Sequence, residues 1–504
     1  MLALLGLVGL GVEQLTGHPG RTLRATSGVS RPHQPSVVPT SRARGTNNWR
    51  LRRPAEDGQV EAWSAPASGV PGTAVALMVS TTAGSYRVTA YRIGADAGGW
   101  GVRVWQSAVL PGTRQPDPVL RPRRTRTVEA PWRRSLTVDT TGWAPGFYVL
   151  KVHAASGWET LVPYVASSAS AAGTVALVAP VATWEAYNTW GGYSLYQGPS
   201  GDRNSWAVSL DRPYHLAPGA NDFRTAALPL VVRAERLGIR LSYFTDLDLQ
   251  QRPGALAGAR GYASLGHDEY WTNQMRSAVE AARDAGTNLA FFSANTMYWR
   301  VRLRSTPVGT GRLVVGYRGN AALDSAGARD PGEVTGRFRD PPGARPENEL
   351  VGTEYECFPV DADYRVAAPG WWGFEGTGVA RGDSFPDLVG PEADRVYPDS
   401  RTPRPLQVLS DTPYDCAGSP TSSQSVYYTS PSGAGVFATG TLRWSCALAD
   451  GCDVPLSGRT RRFVGTVTDN VLRAWAAGPA GRDHPAWDNL DRFGLSMSNG
   501  VPTS

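Results

Sequence analysis

The sequence predicts a chain of the α/β plus all-β class, in which an N-terminal β-sandwich is followed by an α/β domain. Short runs with alternating apolar residues fill residues 58–166, among them TAVALMVST, YRVTAYRIG and GFYVLKVHA. This period of two, repeated over many short runs, is typical of antiparallel sandwiches of the immunoglobulin-like or jelly-roll type. After residue 170, wholly apolar runs such as VALVAP alternate with helical patterns, as in a parallel sheet buried on both faces.

The α/β domain is predicted to extend over residues 170–504, after a linker of small residues. Its predicted order is strand VALVAP, helix DFRTAALPLVVRAERLG, strand IRLSYFTDLDL, strand YASL, helix TNQMRSAVEAARDAG and strand TNLAFFSANTMYW. Met275 and Val279 lie at helical spacing in the second helix, which is therefore amphipathic. The remaining chain has short strands and long Gly/Pro loops, and we interpret it as completing this domain, with an insertion at about 319–425.

Residues 1–57 are predicted to be a signal-like segment followed by a disordered linker. The first 20 residues, MLALLGLVGLGVEQLTGHPG, include an apolar run of signal-peptide length that is too short to span a bilayer. The run lacks a positive n-region, so a disordered apolar tail is the alternative. Residues 13–56 are rich in Pro, Ser, Thr, Gly and Arg, a composition that favours disorder.

The four cysteines indicate an oxidising compartment. They are Cys357, Cys416, Cys446 and Cys452, and no CxxC spacing suggests zinc. An even number of cysteines after a signal-like start favours disulfides. Cys446 and Cys452 are only six residues apart and form the favoured pair, so Cys357 and Cys416 pair by elimination. We therefore predict a secreted or cell-surface protein.

The positive charge of the chain comes almost entirely from arginine. The net charge is +6, the pI is about 9.2, and Lys151 is the only lysine. Acidic residues are interspersed through most of the chain, and the densest basic run, RPRRTRTVEAPWRR at 121–134, is interpreted as a loop and strand edge. The sequence therefore predicts no nucleic-acid partner, and no run predicts a transmembrane helix.

Polar and phenolic side chains follow four predicted strands. In parallel sheets, the carboxyl ends of the strands meet at one edge, where ligands bind. The groups expected there are Glu185, Tyr187, Asn188 and Tyr193 after the first strand, then Asp246 and Asp248, then His267, Asp268, Glu269 and Tyr270, and finally Asn295.

The stretch YASLGHDEYWT is the most informative of these. Asp268 or Glu269 could cap the helix that starts near Trp271, but a cap does not account for His267 as well. A histidine and a carboxylate two residues apart can face one cleft, where they bind a metal or move a proton. The sequence has no cysteine before Cys357, no GxSxG elbow, no phosphate loop and no HExxH helix. Phenol and carboxylate oxygens suit a hard ion such as ferric iron better than zinc.

Several motifs together resemble the large (beta) subunit of N,N-dimethylformamidase, from about residue 58 to the C-terminus. They are YRVTAYRIGADAGGWGVR, ATWEAYNTWGG, SLGHDEYWT, NLAFFSANTMYWRVRL, RPENELVGTEYE and GAGVFATGTLRWSCAL, of which AYN and HDEYW are the most specific. The resemblance implies a sandwich and a glutamine-amidotransferase-like (flavodoxin-like) three-layer α/β domain. It also implies a mononuclear ferric iron held by two tyrosines and one glutamate.

Carried over by motif, the metal ligands are Tyr148, Tyr187 and Glu269. Tyr193, Tyr243 and Tyr164 are alternatives to Tyr148, which is equally compatible with an ordinary aromatic residue of a sandwich strand. The catalytic residues implied are Glu269 itself, His267 as a proton-handling group, and Asn295 and Glu354 as cleft-lining residues. Asn295 is also compatible with a turn cap, and Glu354 with a solvated strand position.

The function implied is an iron-dependent, dimethylformamidase-like hydrolase that acts on the amide C–N bond of an unknown small molecule. Another metal in place of iron is a further possibility, and a small subunit or a homo-oligomer is the expected partner. The alternative function is a non-catalytic, exported surface protein that binds carbohydrate or another ligand in an aromatic cleft. The residues of that cleft would be Trp184, Trp190, Tyr193, Trp271, Trp371 and Trp372.

Overall fold

The computed structural model describes residues 44–199, 204–215, 219–449, 451–495, 497–498 and 501–502. The signal-like segment and the first part of the predicted linker lie outside the described residues. The description below concerns the compact unit Val37–Ser504.

Two sheets formed by residues 60–166 make up the sandwich. One sheet has three strands in the order Val60–Ala65, Ala74–Thr81 and Leu136–Asp139. The other has the order Ser68–Gly69, Glu159–Ala166, Gly146–Ala154, Ser85–Ile93 and Gly101–Gln106, with Leu110–Pro111 beside Ser85–Ile93. Alternate side chains such as Leu77, Val88 and Leu150 are wholly buried between the sheets, because successive residues of a strand point to opposite faces.

The second region is built on a seven-stranded sheet. Its order is Leu241–Thr245, Val175–Ala179, Gly261–Ser264, Asn288–Phe291, Gly435–Ala438, Ser419–Thr429 and Leu406–Cys416. The first five strands run parallel, and the last two add in antiparallel fashion. The strand Val175–Ala179 is entirely buried, which explains its unbroken apolar run. The mixed α/β and β-rich content predicted from the sequence is confirmed.

Helices connect and cover these strands. Among the described residues, the α-helices of six or more residues are Val181–Tyr187, Leu228–Arg236, Asp246–Gln251, Asn273–Asp284 and Gly458–Ala477, and a π-helix, Phe223–Ala227, precedes the second. One boundary differs from the prediction, since the strand predicted over IRLSYFTDLDL ends at Thr245. The Thr245 hydroxyl accepts from the amide of Asp248, whose carboxylate accepts from the Thr245 amide, and this capping box starts a helix instead.

The described residues 292–405 contribute no strand to the central sheet. They form short helices and small sheets that surround its carboxyl edge. Their strands are Trp299–Arg300, Arg302–Thr306, Gly309–Val315, Glu354–Cys357, Ala362–Arg365, Ser384–Val389 and Ala393–Arg395. The strand predicted over TNLAFFSANTMYW therefore ends at Phe291, and Trp299–Arg300 pairs instead with Tyr270–Trp271.

Residues 44–57 differ from the predicted disordered linker because they pack on the sandwich. Trp49 is 2% exposed and lies in the main core. The Lys151 ammonium donates to the carbonyls of Asn48 and Arg50, at 3.0 and 2.7 Å. One buried indole and two satisfied carbonyls thus hold a segment whose composition favours disorder.

The cysteines pair as predicted, Cys357 with Cys416 and Cys446 with Cys452. The disulfides are compatible with an extracellular location. Among the described residues, no helix has the length and apolarity needed to cross a membrane.

Candidate active site

The site lies where the chain changes direction across the central sheet. Strand Val175–Ala179 has Leu241–Thr245 on one side and Gly261–Ser264 on the other. Because the connections that leave neighbouring strands at such a point go to opposite sides, a crevice opens at their carboxyl ends. The segments that follow Ala179 and Ser264 carry Tyr187 and Glu269, so the two residues meet there.

A glycine turn and a helix cap shape the loop of residues 265–271. Gly266 has φ +96°, and a Cβ there would lie 2.7 Å from the Ala226 Cβ, so only glycine fits. The helix begins at Asn273, and the Thr272 hydroxyl accepts from the amide of Met275. Neither Asp268 nor Glu269 caps this helix, and both remain in the loop with His267.

Glu269 is the centre of the site. Its carboxylate accepts two phenol hydrogen bonds, from Tyr187 to Oε2 at 2.8 Å and from Tyr196 to Oε1 at 2.6 Å. The Tyr187 and Tyr196 rings stack with centroids 4.6 Å apart. Glu269 is 1% exposed, whereas both tyrosines are half-buried. Three oxygen-bearing side chains therefore converge, and the phenols form the more open side.

The helix Val181–Tyr187 is tied to the loop at two points. The Thr183 hydroxyl accepts from the backbone amides of Glu269 and Tyr270, at 3.0 and 3.2 Å. Tyr187 lies one turn later on the same helix face, where its hydroxyl reaches the Glu269 side chain. Thr183 thus fixes the loop backbone relative to the helix, and Tyr187 donates a hydrogen bond to the Glu269 carboxylate.

Burial and mutual charge raise the pKa of all three groups. Burial, followed by the nearby Glu269 charge, raises the pKa of Tyr187 and that of Tyr196 well above the usual value. Burial likewise raises the Glu269 pKa, although His267 and the two phenol bonds oppose this shift. In this state both phenols carry their protons and share them with one carboxylate.

Tyr196 is positioned by a loop that Arg212 organises. The buried Arg212 guanidinium pairs with Glu185 at 2.5 Å and donates to the carbonyls of Trp190 and Tyr193. The Arg318 guanidinium lies over the Tyr196 ring, 4.0 Å from its centroid. Sequence reasoning did not select Tyr196, because it lies in an irregular loop 17 residues beyond the end of strand Val175–Ala179. Its nearness to the AYN and GGY motifs was the only available signal.

His267 faces a second carboxylate that the sequence did not suggest, Glu392. His267 Nε2 lies 3.2 Å from Glu392 Oε2 and 3.8 Å from Glu269 Oε2. Burial lowers the pKa of His267, but the charges of Glu392, Glu269 and Asp222 outweigh it and raise that pKa to about 9. An imidazolium held by Glu392 therefore lies beside the phenol and carboxylate cluster. Glu392 comes from the region outside the central sheet, where no periodic pattern marks it.

Backbone hydrogen bonds hold the loop that carries Asn295 beside the loop that carries Glu269. Its amide donates to Asp394 Oδ1 at 2.7 Å, and its φ is +52°. Further along the same loop, the amides of Met297 and Trp299 donate to the carbonyls of Asp268 and Glu269. The side-chain oxygen of Asn295 is buried and has no hydrogen-bond partner among the described residues.

Glu354 and Tyr148 are not brought to the cluster. Glu354 forms an ion pair with Arg339 at 3.1 Å, and burial raises its pKa to about 7. Tyr148 lies in the sandwich core, stacks on Trp143 and donates its hydroxyl to the carbonyl of Ala144 at 2.7 Å. A tyrosine bonded to the backbone a few residues upstream is a structural device of β-sandwiches. This is the physical reason why Tyr196, and not Tyr148, is the second phenol at Glu269.

The alternatives to Tyr148 are also engaged elsewhere. Tyr243 donates to Glu235, and Tyr164 donates to the carbonyl of Gly69. Tyr193 packs against the small cluster that contains Trp63 and Trp190. The aromatic cleft expected of a ligand-binding protein does not form either, because four of its six rings are at most 6% exposed, namely Trp184, Trp190, Trp271 and Trp371.

The donor atoms fit a hard cation. Each of the two phenol oxygens lies within hydrogen-bond distance of one carboxylate oxygen of Glu269, and oxygen donors of this kind suit ferric iron. Among the described residues, no group of three or more His, Cys, Asp and Glu is placed to hold a metal. Two tyrosines and one glutamate are not a group of that kind. Whether they fit a metal ion therefore depends on the chemistry of their oxygen atoms.

Comparisons with known proteins identify one family. A family model described as N,N-dimethylformamidase beta subunit-like, C-terminal, matches residues 87–454, which is more than half of the chain. No curated protein matches. A Paenibacillus sp. cycloisomaltooligosaccharide glucanotransferase, complexed with cycloisomaltoheptaose, has 10% sequence identity and a TM-score of 0.17, over 76% of this chain and 69% of that chain. A similarity at this level carries no argument about fold or function.

Proposed function

The chain belongs to the N,N-dimethylformamidase beta subunit-like family, and from this premise we propose that it is an iron-dependent hydrolase of an amide C–N bond. The observation that carries the proposal is the pair of hydrogen bonds that the Tyr187 and Tyr196 phenols donate to Glu269. We assign these three residues as the ligands of one ferric ion. When bound, such an ion supplies Lewis acidity for the amide carbonyl and acidifies water.

The protein's own residues supply the proton chemistry. His267 holds a proton on the imidazole beside the cluster, and Glu392 keeps that ring in place through their contact at 3.2 Å. We assign the His267 imidazolium as the group that protonates the leaving amine, and Glu392 as its positioning partner. Thr183 positions the Glu269 backbone, and Arg318 covers the Tyr196 ring so that the phenol keeps one orientation.

Three finer features belong to the same proposal. Numbered among themselves in chain order, the five parallel strands lie in the order 2-1-3-4-5 across the sheet, which supports a flavodoxin-like, glutamine-amidotransferase-like domain. The family description names a beta subunit, which supports a partner subunit. The disulfides support export to the cell surface or beyond.

The first test is the metal content of protein purified from iron-replete cells. We expect about one iron per chain and a visible charge-transfer band from tyrosinate bound to ferric iron. Tyr187→Phe, Tyr196→Phe and Glu269→Gln should each lose the iron and the band, because each removes a donor. Tyr193→Phe is the matched control, since this half-buried tyrosine lies three residues from Tyr196 without contacting Glu269.

Catalysis is tested separately on the iron-loaded protein. Amine release from formamides and larger amides should be lost in His267→Ala and reduced in Glu392→Gln, while both variants keep their iron. Tyr196→Phe protein that retains iron and its band would overturn the assigned ligand set. If the protein binds iron but turns over none of the amides, the proposed amide hydrolysis is wrong. If wild-type protein contains another metal, the assignment of iron is wrong.

A further inference from the structure

Residues 114–134 form an antiparallel arm, here called the basic arm. Val119–Leu120 pairs with Val128–Glu129, and Val119 lies opposite Glu129. The same register continues toward the base of the arm, where the Gln115 side chain bonds to the backbone oxygen and amide of Arg133. At the other end, the Arg121 amide donates to the Thr127 carbonyl and closes the turn. The arm thus consists of two antiparallel segments about 5 Å apart that run from its base to its tip.

The basic arm concentrates the charge of the chain. Its 21 residues contain seven arginines and two acidic residues, a net charge of +5, whereas all 504 residues together carry +6. Among the described residues, Arg114 is the one arginine of the arm with an ion-pair partner, Asp117 at 3.1 Å. The arginines at the tip and base are exposed without a carboxylate within 4.0 Å among the described residues, and they are Arg121, Arg123, Arg124, Arg133 and Arg134.

An open groove accompanies these charges. It has a volume of about 850 Å³ and is lined by the consecutive residues Pro118, Val119, Leu120, Arg121, Pro122 and Arg123. None of these described lining residues is acidic. A groove of this size with guanidinium groups at one end has room for several units of an anionic chain.

We propose that the basic arm binds a flexible linear polyanion, a chain of regularly spaced phosphate groups. The narrow, extended distribution of unpaired guanidinium groups matches such a chain, because each group can neutralise one anionic unit and release its counterion. Arginine also binds phosphate oxygens in a bidentate manner, which favours this group over diffuse charge.

Other anionic partners fit the arm less well. Single-stranded nucleic acids bind through aromatic side chains on which bases stack. The only aromatic residue of the arm, Trp132, is half-buried, packs edge-on against Trp190 and donates its indole N–H to the Pro116 carbonyl. A membrane surface calls for exposed apolar side chains, and no exposed large hydrophobic residue lies in residues 114–134.

The arm is bonded to the loop that carries Tyr196. The Arg126 guanidinium donates to the Asn204 carbonyl, and the Trp206 amide donates to the Thr125 carbonyl. The Ser205 amide in turn donates to the carbonyl of Ser194, two residues before Tyr196. A polymer on the arm therefore lies beside the candidate active site, although its binding does not depend on the proposed reaction.

The test compares two triple variants of equal net charge. The arm variant combines Arg121→Gln, Arg123→Gln and Arg124→Gln, and the control combines Arg329→Gln, Arg381→Gln and Arg473→Gln at exposed positions elsewhere in the chain. Binding is measured by fluorescence anisotropy with labelled polyphosphate and, separately, labelled polyglutamate. We expect the arm variant to bind polyphosphate at least about tenfold more weakly, with a salt-dependence slope smaller by about 2, and the control to bind like wild type.

The two polymers distinguish a phosphate chain from a carboxylate chain: preference for polyphosphate supports the proposal, and preference for polyglutamate would overturn it. A second variant, Arg133→Gln with Arg134→Gln, repeats the test at the base of the arm, and circular dichroism checks that each protein is folded. Equal losses in the arm and control variants would overturn the proposal, because they would indicate a net-charge effect alone. So would absence of binding at about 50 mM salt, or a preference for anionic vesicles or DNA over both polymers.

Discussion

At the scale of single residues, the molecule uses its few unusual side chains where geometry demands them. Lys151 is the only lysine beside 49 arginines, and it is 6% exposed. Its ammonium contacts Glu159 at 2.9 Å and donates to two carbonyls of the N-terminal segment. A compact ammonium offers three donors around one atom, whereas the guanidinium of arginine is planar and larger. This site therefore needs lysine in a chain that otherwise uses arginine.

The first prediction concerns this residue. We expect Lys151→Arg to lower the free energy of unfolding by about 1–3 kcal/mol, because the two carbonyls and the buried Glu159 lose a partner that fits. Urea denaturation measures the change, and Arg103→Lys, at an exposed position of the same sheet, is the control that should leave it unchanged. Wild-type stability in Lys151→Arg would contradict the argument that the ammonium is required.

At the scale of elements, the site depends on how one short helix meets one loop. The helix Val181–Tyr187 presents the Thr183 hydroxyl to two backbone amides of the loop and the Tyr187 phenol to its carboxylate. On the far side, Gly219 has φ +81° and lies so close that a Cβ there would be 2.4 Å from Tyr187 Cγ. Tyr187 therefore lies between the loop, where it donates a hydrogen bond to Glu269, and Gly219, whose lack of a side chain leaves room for the ring.

The second prediction tests the contact between helix and loop. Thr183→Val removes the hydroxyl but keeps the shape, leaving the amides of Glu269 and Tyr270 buried without an acceptor. We expect a loss of about 1–3 kcal/mol in stability. If the proposed iron site is correct, we also expect a lower iron content after dialysis against a chelator. Thr183→Ser keeps the hydroxyl and should behave like wild type in both measurements. Equal behaviour of the Val and Ser variants would show that the amides do not need this acceptor.

The same elements explain how far sequence reasoning reaches. Tyr187 and Glu269 follow buried apolar strands, whose carboxyl ends must meet, so their proximity could be predicted from the strand pattern. Tyr196 and Glu392 could not, because irregular segments bring them in and no periodicity records where such segments fold back. Tyr148 shows the opposite difficulty, since a phenol bonded to the nearby Ala144 carbonyl and a phenol at a metal site look alike in a sequence.

At the scale of the whole molecule, each of the two disulfides lies next to a segment that contributes to the site. Cys357 belongs to the strand Glu354–Cys357, which pairs with Ala393–Arg395 directly after Glu392. Cys446 and Cys452 enclose a short loop, and Gly451 of this loop packs against Thr225 in the π-helix that follows Asp222. Both bridges therefore support segments whose carboxylates, those of Glu392 and Asp222, surround His267.

The third prediction separates the two bridges by the length of chain that each closes. The sequence separations are 59 residues for Cys357–Cys416 and 6 for Cys446–Cys452. A crosslink restricts the unfolded chain more when it closes a longer loop, so replacing both cysteines of the longer bridge with serine should cost about 2 kcal/mol more than replacing those of the shorter one. Denaturation of the two double variants in urea measures the difference, with a reduced wild-type sample as the reference for loss of both. Equal losses would contradict this prediction. They would mean that each disulfide contributes to the free energy of unfolding through packing of the folded segments around His267, and not by restricting the unfolded chain.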